Sequence, residues 1–316
     1  MFFEGPEKKL ELWVRSPTIT LRSFGRPFWT AVVQKAGAQI LSTLSNDQCD
    51  AYLLSESSLF VYDQRLLMIT CGRTNLVAAI PEIATRFPVD DVDLLIYERK
   101  SQHFPEFQPT NFLDDVRLLN RMLPGSAFRY GDDGEHHVFL FHHSRPGFRA
   151  AAQDSTLELL MYNWDPAVAG RFSGDSQRRR GPIRDESGVG HILSGYQIDD
   201  FAFEPMGYSL NAIRENAYYT VHVTPQPQGS YVSFETNHRF ESETDRNTCI
   251  QKLLGIFRPD SFDILFFLQT DSEPRVDCGY QHRRSMHSTL PSGYSVFFKS
   301  FFLEHAASEP AEQLSI

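Results

Sequence analysis

The sequence predicts an α+β protein built from antiparallel sheets covered by helices. Three observations carry this. Short runs rich in aromatic and aliphatic residues dominate the chain, and few segments have helical periodicity. Phe occurs 26 times in 316 residues, an aromatic load suited to sheet faces packed on each other or on helices. KKLELW at 8–13 is echoed by STLELL at 155–160, near half the chain away, which points to two similar halves able to pack sheet to sheet.

In chain order, strands are expected at 10–14, 51–54, 59–62, 66–70, 94–97, 138–141, 156–160, 218–223, 231–235, 264–268 and 295–302. Helices are expected in three places. In NLVAAIPEIATRF (75–87), Pro81 demands a kink or a late start. In FLDDVRLLNRML (112–123), Phe112, Val116, Leu119 and Leu123 recur at helical spacing, and Pro124-Gly125 ends the run. In CIQKLLGIF (249–257), Ile250, Leu253, Leu254 and Phe257 form one stripe. The segment 173–182, with its Arg run, reads as a solvated polar loop, and 304–316 as a mobile tail.

The formal net charge of −10 argues against nucleic acid as a partner. Glu4 and Glu7 interrupt what a signal peptide needs as an apolar core, and no apolar run reaches membrane-spanning length. The expectation is a cytoplasmic protein with Cys49, Cys71, Cys249 and Cys278 reduced. No C-x-x-C pair occurs. HHVFLFHH (136–143) invites a metal, but its paired histidines lie roughly 20 Å apart along a strand, beyond one ion's reach; no metal site is expected.

Four stretches remain as chemistry. Ser55-Glu56-Ser57-Ser58 sits between strand-forming runs and, alone, is an ordinary turn. TCGRTN (70–75) sets Cys71 at a strand end before a Gly turn, where a small buried thiol is the commoner occurrence. FEPMGYSLN (203–211) and YTVHVTPQPQGSYVSFETN (219–237) put Ser209 and His222 in strand-rich, aromatic surroundings.

Taken together, the order FFEGPEK, YLLSESSLF, TCG, DSTLELLMYNWDP, FEPMGYSLN and VHVTP…SYVSFETN resembles the eukaryotic-type S-adenosylmethionine decarboxylase family, from Phe2 to about Phe301. The resemblance implies one four-layer αββα domain over 1–303, a sandwich of two antiparallel sheets with pseudo-repeats at about 1–150 and 151–303. It implies self-cleavage between Glu56 and Ser57 into residues 1–56 and 57–316. Ser57 attacks the Glu56 carbonyl, β-elimination follows, and a pyruvoyl group remains at position 57 as electron sink for decarboxylation, with no metal and no pyridoxal phosphate. His222 is implied as the base of the elimination, Ser209 as an aid to processing, Cys71 as proton donor to the substrate carbon, and Glu4 and Glu7 as acidic site residues. Phe3 and Phe203 match the aromatics that sandwich adenine. Gln226 stands where the family has a Glu that holds the ribose hydroxyls, so weaker affinity is expected from one carbonyl acceptor in place of two.

Alternation puts Lys9 and Glu11 on one strand face and Leu10 and Leu12 on the other; Thr156 and Glu158 likewise oppose Leu157 and Leu159. By resemblance, Glu11, Asp154, Glu158 and Glu235 match the acidic cluster that holds putrescine in the animal enzymes. Ile69 replaces their lysine, Lys9 replaces a leucine and Glu98 a serine. Plant members use built-in basic side chains, so Lys9 is expected to do the same here and putrescine activation to be weak or absent. Two rivals stand beside this reading: a pyruvoyl-dependent decarboxylase of another cationic amino acid such as ornithine or arginine, motivated by Gln226, and an inactive regulatory paralogue, disfavoured because Ser57, Cys71, Ser209 and His222 are all present. A homodimer of processed units is left open.

Overall fold

A computed structural model describes residues 3–15, 19–132, 134–172, 180–226 and 229–304. The first half runs β1 (Lys8–Val14), α1 (Gly25–Ala36), β2 (Ile40–Ser45), β3 (Asp50–Leu54), β4 (Ser57–Val61), β5 (Arg65–Thr70), α2 (Ile80–Ile83), β6 (Val92–Lys100), α3 (Phe112–Met122), β7 (Ser126–Gly131) and β8 (His137–Ser144). The second runs β9 (Thr156–Trp164), α4 (Pro166–Ala169), α5 (Arg180–Ser187), β10 (Gln197–Ala202), β11 (Tyr208–Arg214), β12 (Ala217–Thr224), β13 (Tyr231–Thr236), α6 (Glu243–Phe257), β14 (Pro259–Leu268), β15 (Gln281–Thr289) and β16 (Ser295–Phe302).

Among the described residues these strands make two eight-stranded sheets, ordered β2-β3-β4-β5-β1-β6-β8-β7 and β10-β11-β12-β13-β9-β14-β16-β15. The second order is the first displaced by eight strands. Every pairing is antiparallel, and β1 and β9, which carry the KKLELW and STLELL echo, hold the same place in their sheets. The fold is an α+β sandwich.

Strand alternation decides which residues enter which layer. Leu10 and Leu12 join an outer core with Phe28, Trp29, Val32 and Val33 of α1. Leu157 and Leu159 do the same against Ile250, Leu253 and Phe257 of α6. Between the sheets, Leu94, Ile96, Leu160, Tyr162, Leu265 and Phe298 form a third core. A fourth joins Phe60, Leu67 and Ile69 of the first sheet to Ile213 and Tyr218 of the second.

The helices differ from expectation in instructive ways. α1 was not anticipated: its opening Gly-Arg-Pro masks the stripe Trp29, Val32, Val33, Ala36, all buried. Gly37, at φ +91°, stops it in the left-handed conformation glycine favours. The 75–87 segment takes the late start: a short 3₁₀ turn leads into α2, with Pro81 in its first turn, where its missing N–H breaks no helical bond. α3 starts on Asn111, whose side chain accepts from Asp114 N at 3.0 Å. α6 begins at Glu243, ahead of the expected segment 249–257, because Ser242 caps Asp245 N at 3.1 Å. The loop expected over 173–182 is corrected at its end, since α5 already begins at Arg180 and takes Pro182 into its first turn. Residues 173–179 and 305–316, and hence nearly all of the expected tail, lie outside the described residues.

Candidate active site

The Ser-Glu-Ser-Ser stretch is only half turn. Ser55 and Glu56 form a two-residue turn; Ser57 and Ser58 already belong to β4, with Ser57 opposite Leu54 on one side and Thr70 on the other. Ser57 has φ +133°, a conformation in which its Cβ is crowded against the backbone. Such a residue costs of order 1–3 kcal/mol and persists only where its surroundings hold it. The holder is the end of β5 and the loop after it. Cys71 N–H donates to the Glu56 carbonyl at 2.9 Å and its Sγ donates to the same oxygen at 3.3 Å. The Ser57 hydroxyl lies 3.2 Å from that sulfur. One carbonyl, that of the Glu56–Ser57 bond, therefore has two donors and an adjacent hydroxyl.

The next residue must be glycine. Gly72 sits at φ +66°, and a Cβ there would meet Glu56 Oε2 at 2.6 Å and the Phe3 ring at 3.3 Å. Lys8 Nζ, fully buried, donates to Gly72 O at 3.0 Å and to Thr74 Oγ1 at 3.5 Å. Burial, then the charge of Arg99, lowers Lys8 to about 8. Burial raises the Glu56 carboxyl to about 7 against the pull of Lys8. Burial, then the Glu56 charge, pushes the Cys71 thiol well up, so it is a protonated donor at neutral pH.

Across the sandwich, Ser58 Oγ donates to Asn211 Oδ1 at 2.5 Å and lies 2.8 Å from His222 Nε2. Thr220 Oγ1 is 2.9 Å from the same nitrogen. His222 Nδ1 lies 2.5 Å from Glu7 Oε1, which also accepts from Ser233 Oγ at 2.5 Å. A carboxylate only accepts, so the proton between this pair sits on His222 Nδ1, and Nε2 faces the two hydroxyls. The imidazole thus meets Ser58 directly rather than Ser57. Ser209, buried, is the cross-strand neighbour of His222.

The N-terminal segment closes this end of the sandwich. The Glu4 carboxylate accepts from His103 N and Phe104 N, both at 2.9 Å, and its carbonyl accepts from Gly72 N at 2.8 Å. Glu4 is thus fully engaged with backbone. Phe3 N–H donates to Gln226 Oε1 at 2.7 Å, and Gln226 Nε2 donates back to Phe3 O at 2.6 Å. Phe203 lies in the loop between β10 and β11; its N–H donates to Gly207 O at 2.9 Å, and its ring packs 4.9 Å from that of Phe201.

The charged cluster lies between the central strands. Lys9 Nζ reaches Glu158 at 2.6 Å, Glu235 at 3.1 Å and Glu98 at 3.5 Å. Lys100 pairs with Glu98 at 2.5 Å and with Glu158. Arg65 pairs with Glu11 at 2.9 Å and Asp154 at 3.9 Å, its guanidinium 5.2 Å from the Trp13 ring centre. Thr156 is buried at the start of β9. Burial opposes every charge here, but Lys100 and Lys9 hold Glu158 down at about 2. Burial pushes Glu235 up to about 8, against the pull of its ion-pair partner Lys9 and with Glu158 repelling it. Sequence reasoning found Lys9 and the acids and missed Arg65 and Lys100. Lys100 was within reach, since it alternates with Glu98 as Lys9 does with Glu11. A polar cavity of 760 Å³, lined by Trp13, Tyr62, Arg65, Asp154, Glu215 and His238 among others, opens beside the Arg65–Asp154 pair.

The four histidines of 136–143 do not converge. His136 stacks on Tyr162, His137 meets Glu135 O, His142 meets Ser292 and His143 meets Pro124 O. No described helix is long and apolar enough to cross a membrane.

A family model described as adenosylmethionine decarboxylase matches residues 1–302. The chain is 34% identical over 286 residues to the S-adenosylmethionine decarboxylase proenzyme of Leishmania donovani, covering 85% of this chain and 74% of that one. It is 34% identical over 290 residues to the proenzyme of Xenopus laevis (87% and 86%) and 32% identical over 341 residues to that of Ipomoea nil (99% and 93%). Among solved structures, the Trypanosoma brucei AdoMetDC-delta26 monomer is similar in fold, with a TM-score of 0.61 at 22% identity over 78% of this chain and 99% of that chain. The chain belongs to the adenosylmethionine decarboxylase family.

Proposed function

We propose that the chain is a self-processing, pyruvoyl-dependent decarboxylase of S-adenosylmethionine, supplying the decarboxylated product for spermidine and spermine synthesis. The observation that carries this is the Glu56 carbonyl, held by Cys71 N–H and Sγ, followed directly by Ser57 at φ +133° with its hydroxyl beside the same sulfur.

The processing step needs a nucleophile after the scissile bond, a strained peptide and donors for the developing oxyanion. Ser57 Oγ attacks the Glu56 carbonyl carbon, the C–N bond breaks, and an ester with a free amine at residue 57 results. Removal of the Cα proton of residue 57 expels the Glu56 carboxylate and leaves dehydroalanine. Its imine form takes up water and loses ammonia, and a pyruvoyl group remains. His222 is the base we assign to the proton removal, with Glu7 fixing its tautomer and Ser209 beside it. The residues fit the group: Ser57 is in place to become it, and nothing else is required to hold it. When formed, that group supplies an electron sink for the carbanion left as CO₂ departs. Cys71, protonated by its burial, then donates the proton to the substrate α-carbon. Phe3 and Phe203 take the adenine, and their faces favour a sulfonium. A thiol that must stay reduced favours the cytoplasm.

The charged cluster supports the built-in-cation reading of the activator site. Lys9, Lys100 and Arg65 already stand among Glu11, Glu98, Asp154, Glu158 and Glu235. A diamine adds little where three cations are in place, so putrescine stimulates weakly or not at all. The test is CO₂ release from carboxyl-labelled S-adenosylmethionine, ornithine and arginine by purified protein, with and without putrescine. Release from the first alone, unchanged by the diamine, is expected; release from an amino acid alone would replace the substrate.

A further inference from the structure

We infer that Gln226 is a positioning residue whose amide latches Phe3 at the mouth of the site, and that position 226 consequently turns its acceptor oxygen to Phe3 rather than to the substrate's ribose hydroxyls. The inference rests on the proposed adenine pocket and deepens it. Both polar atoms of the buried Gln226 amide engage one residue: Oε1 accepts from Phe3 N–H at 2.7 Å and Nε2 donates to Phe3 O at 2.6 Å. This reciprocal pair is the pattern two adjacent strands use, made here by a side chain. It requires a donor and an acceptor on one planar group, which an amide has and a carboxylate lacks.

The latch bridges parts of the chain far apart in sequence, and the rest of the N-terminal segment follows the same seam. A Cβ on Gly5 would meet Tyr231 Cβ at 2.9 Å and Thr224 Oγ1 at 3.1 Å, so residue 5 passes tightly over the ends of β12 and β13. On one side of Gly5 stands Glu7, bonded to His222 and Ser233. On the other, Phe3 keeps a ring more than a third exposed, resting near Gly72 and Glu56. A half-exposed aromatic on an untethered segment would sample many orientations. The latch removes that freedom and presents the ring as a wall against which a base can stack. Cleavage after Glu56 makes the latch a bond between two chains, since Phe3 belongs to the short fragment and Gln226 to the long one.

The consequence for specificity is a shift of binding from hydroxyls to the base. A site that hydrogen-bonds a hydroxyl rejects analogues lacking it by about 10⁴-fold or more. With the Gln226 oxygen turned to Phe3, discrimination against the missing hydroxyl is weakened.

The test uses the full chain. In the Ser57→Ala background, where cleavage cannot intervene, hydrogen exchange of the amides of residues 3–5 is followed with Gln226 and with Gln226→Glu. In the processed enzyme, kcat and KM are measured for S-adenosylmethionine and its 2′-deoxy analogue. Gln226→Glu should speed exchange at residue 3 about tenfold and raise KM about tenfold with kcat within about twofold, the scale of one lost hydrogen-bonded pair. Gln226→Ala should match it, neither should raise KM further on a Phe3→Ala background, and the wild type should use the 2′-deoxy analogue within about threefold of the parent. A lower KM in Gln226→Glu, unchanged exchange, or a drop of about a hundredfold or more with the 2′-deoxy analogue would overturn the latch and restore a ribose contact. Wild type that releases no CO₂ refutes the proposed function instead, and the exchange arm still decides the latch.

Discussion

Two hairpins occupy the same place in the two sheets and do opposite things. β3–β4 and β11–β12 are topological counterparts, each closed by two residues, Ser55-Glu56 and Glu215-Asn216. In the second, the left-handed residue is Glu215, at φ +53°, inside the turn, where a two-residue hairpin wants it. In the first, the positive φ falls one residue late, on Ser57 in the strand. The Glu215 carbonyl accepts from the Asn46 side chain, Nδ2 at 2.9 Å, whereas Glu56 O accepts from the amide and thiol of Cys71. Asn46 belongs to the β2–β3 turn, so the two hairpin turns lie at opposite ends of the sandwich. After the turn, Ser57 and Ser58 stand where the other sheet has Ala217 and Tyr218; Ser58 meets His222, while Tyr218 donates to Glu235 of the charged cluster at 2.5 Å. One architecture thus serves chemistry at one end and charge at the centre, and the difference lies in where strain and donors are set rather than in the fold.

The largest effect that tests this contrast is all or none. Ser57→Ala should stay one chain and release no CO₂, and Ala217→Ser, which puts a hydroxyl after the counterpart turn, should produce no second cut on a denaturing gel. Cleavage at Asn216 would show that a hydroxyl after any tight turn suffices. Next comes Cys71→Ala. It keeps one of the two donors to the Glu56 carbonyl, so processing should slow by about tenfold or more while still finishing. Decarboxylation by the finished enzyme should fall by about 10²-fold or more, because the proton donor is gone. Equal turnover in a fully processed sample would remove Cys71 from the second step.

At the charged cluster, Lys9→Leu leaves Glu235 and Glu158 short of a cation. A cost of about 3–5 kcal/mol in unfolding free energy is expected for a broken buried pair, and putrescine should restore part of it in the variant while barely changing the wild type. A strong response of the wild type, with Lys9→Leu unaltered, would break the built-in-cation account. The smallest effect is a slope. Glu235 is held at about 8 against an ordinary 4.5, so between those values the folded chain keeps a proton the unfolded chain has lost. Stability therefore falls as pH rises through that window. Glu158, held at about 2, acts oppositely, losing its stabilising effect as pH falls below about 4.5. Glu235→Gln should flatten the first slope and raise Tm at pH 8.5 by roughly 2 °C for each kcal/mol; an unchanged slope from pH 5 to 8.5 would place the proton elsewhere.

The sequence made most central strands legible because burial on both faces leaves unbroken apolar runs, as in LLMIT of β5 and ILFFL of β14, but it missed the interior strand β11, where Ser209 and Asn211 break the run in YSLNAIR. It hid the edges. β2, β7, β10 and β15 are the four edge strands, and all four escaped the pattern reading. β15 shows why: QHRRSMHST alternates between exposed and half-buried and needs no apolar face. The site followed the same division. Ser57, Cys71 and His222 carry recognisable local context. Asn211, Thr220 and Ser233 do not, because each matters through a partner brought near only by strand pairing or by the packing of two sheets, as Ser58 is to Asn211 across 153 residues. Gln226 was legible as a departure from the family but not as a latch, since its partner is the backbone of Phe3.

The intact mass of the purified wild-type chain, taken after prolonged incubation, tests the account most directly. Two fragments are predicted, residues 1–56 and residues 57–316, the longer blocked to N-terminal sequencing and carrying the mass of a pyruvoyl group in place of Ser57. A single unbroken chain of 36.2 kDa with a serine at position 57 would contradict it.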